Sequence, residues 1–66
     1  MQFKWLEDFV SLAKTRSFSR AADERMVTLP AFGRRIKSLE SWVGVPLVNR
    51  GTYPATLTEE GKLFLQ

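Results

Sequence analysis

The chain has no cysteine and no histidine among its 66 residues. Without thiols, no disulfide can cross-link so small a fold. Without imidazole or thiolate, a zinc site would have only carboxylates to draw on. A nucleophile of the Ser-His or Cys-His kind cannot be assembled within the chain. Asp23 and Glu24 are adjacent, so on a helix they point different ways and form no catalytic carboxylate pair. No catalytic residue, cofactor site or metal site is therefore expected, and an enzyme is the least supported class. No apolar run approaches the roughly 18 residues that cross a bilayer. The N-terminal MQFKWLEDFV places acidic residues early and lacks the pattern of a secretory signal. These features read as a soluble, cytoplasmic protein with no membrane partner. Repeats and low-complexity tracts are lacking too, and the length allows one domain with a small core.

Charge is present but unevenly placed. The net value is +3, yet the stretch from Lys14 to Arg50 carries +5 and the two ends together −2. A basic middle between acidic ends suits either a surface that faces a polyanion or a solvated face that happens to be basic.

Apolar spacing predicts the elements. Phe3, Leu6, Phe9, Val10 and Ala13 recur at the interval of an amphipathic helix, with Trp5 at the edge of the stripe. Glu7 and Asp8 lie toward its start, and Lys14 and Arg16 at its end, as the helix dipole favours. A short second helix, RAADERM, is capped by Ser17 or Ser19, and its Ala21-Ala22 pair lets another helix come close. Thr28 is a good N-cap for a third helix, with Pro30 in its first turn and Gly44 closing it after Val43. Val45, Leu47 and Val48, then Ala55, Thr56 and Leu57, read as a two-stranded hairpin around Asn49–Pro54. Thr58 with Glu59 and Glu60 opens a fourth helix that runs into Gln66 without a cap. That abrupt end suggests one piece of a longer protein: a domain over residues 1–58 and the start of a linker helix over 59–66. The expected core is Phe3, Leu6, Phe9, Val10, Phe18, Phe32, Ile36, Leu39, Val43, Leu47 and Leu57. Trp42 is expected between the third and first helices, and Arg20 and Arg25 in solvent. Arg35 flanks the core, beside an acidic neighbour or a phosphate.

The third helix raises the functional question. Phe32, Ile36, Leu39 and Val43 share one face and must be buried. Opposite them lie Pro30, Arg34, Lys37, Ser38 and Ser41, with Gly33 at the border and Glu40 off the stripe. Gly33 costs a helix interior about 1 kcal/mol relative to alanine, which suits a close approach to the backbone. A major groove admits a helix with little bulk between backbone and base edges. Pro30, Ala31 and Gly33 supply that slimness near the N-terminus. Arg34 can reach bases or phosphate, and Lys37 and Ser38 the phosphate backbone. A solvated face is the plainer alternative, and an acidic protein partner another.

The order helix, helix, turn, helix, hairpin, helix fits a mainly α, winged helix-turn-helix. With SFSRAA, PAF-RRI--LE, GVPL--R and LTEEG in this order, nearly the whole chain resembles the DNA-binding domain of LysR-type transcriptional regulators. The resemblance implies a bacterial, sequence-specific module for double-stranded DNA, with a recognition helix over about 28–43. It implies a phosphate contact from Ser19, and base proximity for Thr28, Leu29, Pro30, Gly33 and Arg34. The wing, about 47–57, would bring Arg50, Thr52 and Tyr53 to the adjacent backbone or minor groove; an exposed loop tyrosine is also common. A homo-dimer or tetramer would form through the linker helix and an effector domain. Three departures stand out against the family pattern. Leu29 stands where glutamine is frequent, Gly33 where serine is frequent, and Val48 where a wing phenylalanine is common. The first two change which operator is read, and Leu29 can meet a thymine methyl instead of adenine.

Overall fold

In a computed structural model that describes residues 2–66, helices α1 (Phe3–Thr15), α2 (Phe18–Glu24) and α3 (Leu29–Val43) precede two short strands and a last helix. Strands β1 (Val48–Asn49) and β2 (Thr56–Leu57) pair antiparallel, Val48 opposite Leu57 and Asn49 opposite Thr56; α4 spans Glu59–Leu65. Local chemistry accounts for the boundaries. The Ser17 hydroxyl accepts the Arg20 N–H, so Ser17 and not Ser19 caps α2. Thr28 accepts from Ala31 N–H and Thr58 from Gly61 N–H, which caps α3 and α4. Gly44, at φ 97°, closes α3 in the left-handed region. Arg16 and Met26 also have positive φ, at the end of α1 and in the α2–α3 turn.

Phe9, Leu12, Ala21, Ala22, Phe32, Ile36, Leu39, Leu47, Val48 and Ala55 form the buried core. Leu6, Phe18, Val43 and Leu57 pack against its edge, as does Trp5. Edge-to-face aromatic contacts join Phe18 to Phe32 and Phe9 to Phe64, each with centroids 5.9 Å apart.

Two core expectations fail on α1. Phe3 is 73% exposed and Val10 is 53% exposed, whereas Asp8 and Ser11 are buried. The cause is electrostatic. Asp8 Oδ1 accepts Arg25 Nε–H at 2.8 Å, and Asp8 Oδ2 accepts Arg35 Nε–H at 2.7 Å. A second Arg35 N–H reaches Oδ1 at 3.0 Å, and Ser11 donates to Glu24 at 2.8 Å. The inward face of α1 is thus rotated toward polar partners on α2 and α3. Arg25, expected in solvent, is instead tied to Asp8 and Glu7. The Asp8 hydrogen bond raises the Arg25 pKa above its ordinary value. The Glu24 carboxyl is lowered by the Ser11 hydroxyl and then by Lys14.

The hairpin is shorter than the apolar runs suggested, because Val45 and Pro46 are exposed and Ala55 is engaged elsewhere. Ala55 N–H donates to the Arg16 carbonyl, which anchors the wing to the end of α1. Helix α4 joins the same core. Thr58 N–H donates to the Leu47 carbonyl and its hydroxyl to Pro46 O. Gly61 is buried against Leu47, and a Cβ there would collide with the Leu47 carbonyl oxygen.

Two substitutions test these joints by urea or thermal unfolding. Asp8→Ala is expected to cost about 3 kcal/mol, the low end for breaking a buried pair, since both guanidinium groups can regain water. Gly61→Ala should cost about 1–3 kcal/mol because backbone must move. Unchanged stability in either variant contradicts the packing described.

Candidate nucleic-acid interface

Helices α2 and α3, joined through Arg25–Thr28, form the helix-turn-helix, and α3 has two contrasting sides. Phe32, Ile36 and Leu39 are fully buried. Thr28, Leu29, Pro30, Arg34 and Lys37 are exposed, and Gly33 and Ser38 are half-buried between the two sides. A Cβ built on Gly33 would have no atom within 4 Å, so nothing in the fold itself requires glycine there.

The cations divide into two sets. Arg25 and Arg35 are bound to Asp8, Arg50 to Glu40, Lys14 to Glu24, and Lys62 to Glu59. Among the described residues, Lys4, Arg16, Arg20, Arg34 and Lys37 have no carboxylate within 4 Å. The free cations of the helix-turn-helix therefore lie on its outer side, and of the adjacent pair Arg34–Arg35 the second is held at Asp8 while the first is exposed.

Two shallow recesses organise the expected site residues. Leu29, Gly33 and Arg50 meet beside Phe18. Arg34, Lys37 and Ser38 line a groove with Trp5, Ser41 and Trp42. Ser19, Thr52 and Tyr53 are exposed but line neither recess. Trp42, expected as a packing residue between helices, is 59% exposed; its position four residues after Ser38 places it beside the outer stripe.

Sequence reasoning missed Glu40. Its Oε2 accepts the N–H groups of Leu47 at 2.8 Å and Val48 at 3.2 Å, and its Oε1 accepts from Arg50. Arg50 also lies 5.4 Å from the centroid of the Phe18 ring. Expected as a free wing cation, Arg50 is held at the root of the wing. Only a glutamate seven and eight residues before the Leu47 and Val48 N–H groups hinted at this, and spacing alone does not identify such a bond.

A family model described as "Bacterial regulatory helix-turn-helix protein, lysR family" matches residues 3–62. The chain belongs to the LysR family. It is 52% identical over 64 residues to the HTH-type transcriptional regulator YjiE of Escherichia coli K12, covering 97% of this chain and 21% of that protein. The crystal structure of Vibrio fischeri DarR in complex with DNA matches at 55% identity and a TM-score of 0.97, over 98% of this chain and 22% of that one. The complex of the BenM DNA-binding domain with catB site 1 DNA matches at 36% identity and a TM-score of 0.95, over 100% and 71%. The chain spans about a fifth of the length of the curated full-length relatives it matches. The winged helix-turn-helix is thus the fold of this LysR-family chain.

Because the space at Gly33 is open, Gly33→Ala should raise stability by up to about 1 kcal/mol in a chemical melt. A loss of stability would mean that the fold itself needs glycine at this position.

Proposed function

We propose that the chain is the sequence-selective, double-stranded DNA-binding module of a bacterial LysR-type regulator, a binding domain and not an enzyme. Helix α3 enters the major groove with Thr28, Leu29, Pro30, Gly33 and Arg34 nearest the base edges. Lys37, Ser38 and Ser19 meet phosphates, and the wing brings Thr52 and Tyr53 to the neighbouring backbone or minor groove. Arg50 fixes the root of the wing through Glu40 and presents the exposed part of its side chain beside α3. The observation that carries this reading is the outer side of α3. It is slim at Pro30 and Gly33, carries two unpaired cations, and is backed by three fully buried apolar residues.

Phosphate contacts supply affinity and register, and base contacts supply selectivity. Two copies would read half-sites about one helical turn apart, or a multiple of it. Exposed Leu63 and Leu65 on α4 are available for pairing between copies. No described helix is long and apolar enough to cross a membrane, and the bacterial cytoplasm is the compartment this role requires.

Adjacent arginines provide the test. In salt titrations with duplex DNA, Arg34→Ala should weaken binding and reduce the magnitude of the slope of log affinity against log salt by about 1, while melting stays unchanged. Arg35→Ala should do the reverse first, lowering the melting temperature through loss of the Asp8 pair. Equal DNA binding by the wild type and Arg34→Ala, or binding insensitive to salt, would remove the reading.

A further inference from the structure

The recess formed by Phe18, Leu29, Gly33 and Arg50 carries a more specific assignment, which rests on α3 being the base-reading element. Leu29 is the first residue of α3 and is 48% exposed, so an apolar side chain stands at the end of the helix that would go deepest into a groove. Gly33, one turn later, contributes no side chain, and the space where its Cβ would lie is empty of the chain's own atoms. The ring of Phe18 forms one wall. Arg50 forms another, and its charge is already matched by Glu40 while its guanidinium rests near the Phe18 ring. Leu29 and Gly33 have no side-chain donor or acceptor to offer a base edge.

What can fill such a place on DNA is narrowly limited. Base edges in the major groove present donors, acceptors and one apolar group, the 5-methyl of thymine. An acceptor at the Arg50 wall would find N–H groups that Glu40 leaves free, but a donor or acceptor pressed against Leu29 and Phe18 would lose its water without gaining a partner. A methyl group would not. We infer that the Phe18–Leu29–Gly33–Arg50 recess is a receptor for the thymine 5-methyl group, with Leu29 and Phe18 as its walls and the missing side chain of Gly33 as its opening. Leu29 and Gly33 then act as one unit, and changing either alone removes the preference.

The test uses duplexes selected from a random-sequence pool by the wild-type chain, remade with each thymine in turn replaced by deoxyuridine. That exchange removes only the methyl group and keeps the pairing. One thymine per half-site should lose about four-fold in affinity, the value of burying a single methyl-sized group. At that same position, 5-methylcytosine should bind about four-fold better than cytosine, since the methyl returns on a different base pair. Leu29→Gln and Gly33→Ala should each abolish the deoxyuridine penalty there. Leu29 is exposed and a Cβ at Gly33 would meet no atom within 4 Å, and a thermal melt of each variant verifies folding. The assignment is overturned if no thymine in the selected sites shows a penalty, or if the penalty survives in either folded variant. Should the wild-type chain select no sites, or bind them without salt dependence, the DNA-binding reading itself fails; methyl-blind but salt-sensitive binding removes only the receptor.

Discussion

A single buried carboxylate organises this domain. Asp8 lies on α1 with no solvent exposure and accepts hydrogen bonds from Arg25 at the end of α2 and Arg35 in α3. Helices α1, α2 and α3 are therefore referenced to one point. Apolar packing alone would tolerate a helix rotated or slid by a fraction of a turn. A carboxylate that must receive two guanidinium groups in a fixed geometry does not. Burial of that charge is a constraint on orientation more than a source of stability, and orientation is what a groove-binding helix needs.

Glu40 does the same for the wing. Its carboxylate takes two successive backbone N–H groups at the start of β1 and the Arg50 side chain, so the hairpin has a fixed attitude to α3 although each strand is only two residues long. Ala55 bonded to Arg16 O, and Thr58 bonded to Leu47 O, close the other side. Through Asp8 and Glu40, three arginines are tied to carboxylates, while Arg16, Arg20, Arg34 and Lys37 have no carboxylate partner among the described residues. The basic middle of the chain is thus two populations, and only the second is available to a polyanion.

Much of this was legible in the residues and some of it was not, for a physical reason. Helix α3 could be read almost to the residue, because Thr28, Pro30 and Gly44 act locally and Phe32, Ile36 and Leu39 repeat at helical spacing. Its outer face was legible for the same reason, as was the hairpin around the turn-rich Asn49–Pro54. The inward face of α1 was misread, since periodicity counts apolar residues and the decisive one there is Asp8. Its partner Arg35 is 27 residues away, and nothing local distinguishes a carboxylate that meets two arginines from one in water. The same blindness hid Glu40 and made Arg50 look like a free cation. Trp42, expected between the third and first helices, does share a groove with Trp5 of α1 but is exposed there, on the Ser38 side of α3.

In the proposed function, α3 is anchored by Arg35 and meets DNA through its neighbour Arg34. An NMR titration of the isotopically labelled chain with duplex DNA tests this most directly. The backbone signals of Leu29–Ser38 and the Arg34 side chain should shift most, while the Arg35 Nε–H resonance, bonded to Asp8, keeps its position. Contradiction would be a map centred on the exposed Phe3–Val10 side of α1, with the signals of α3 unmoved.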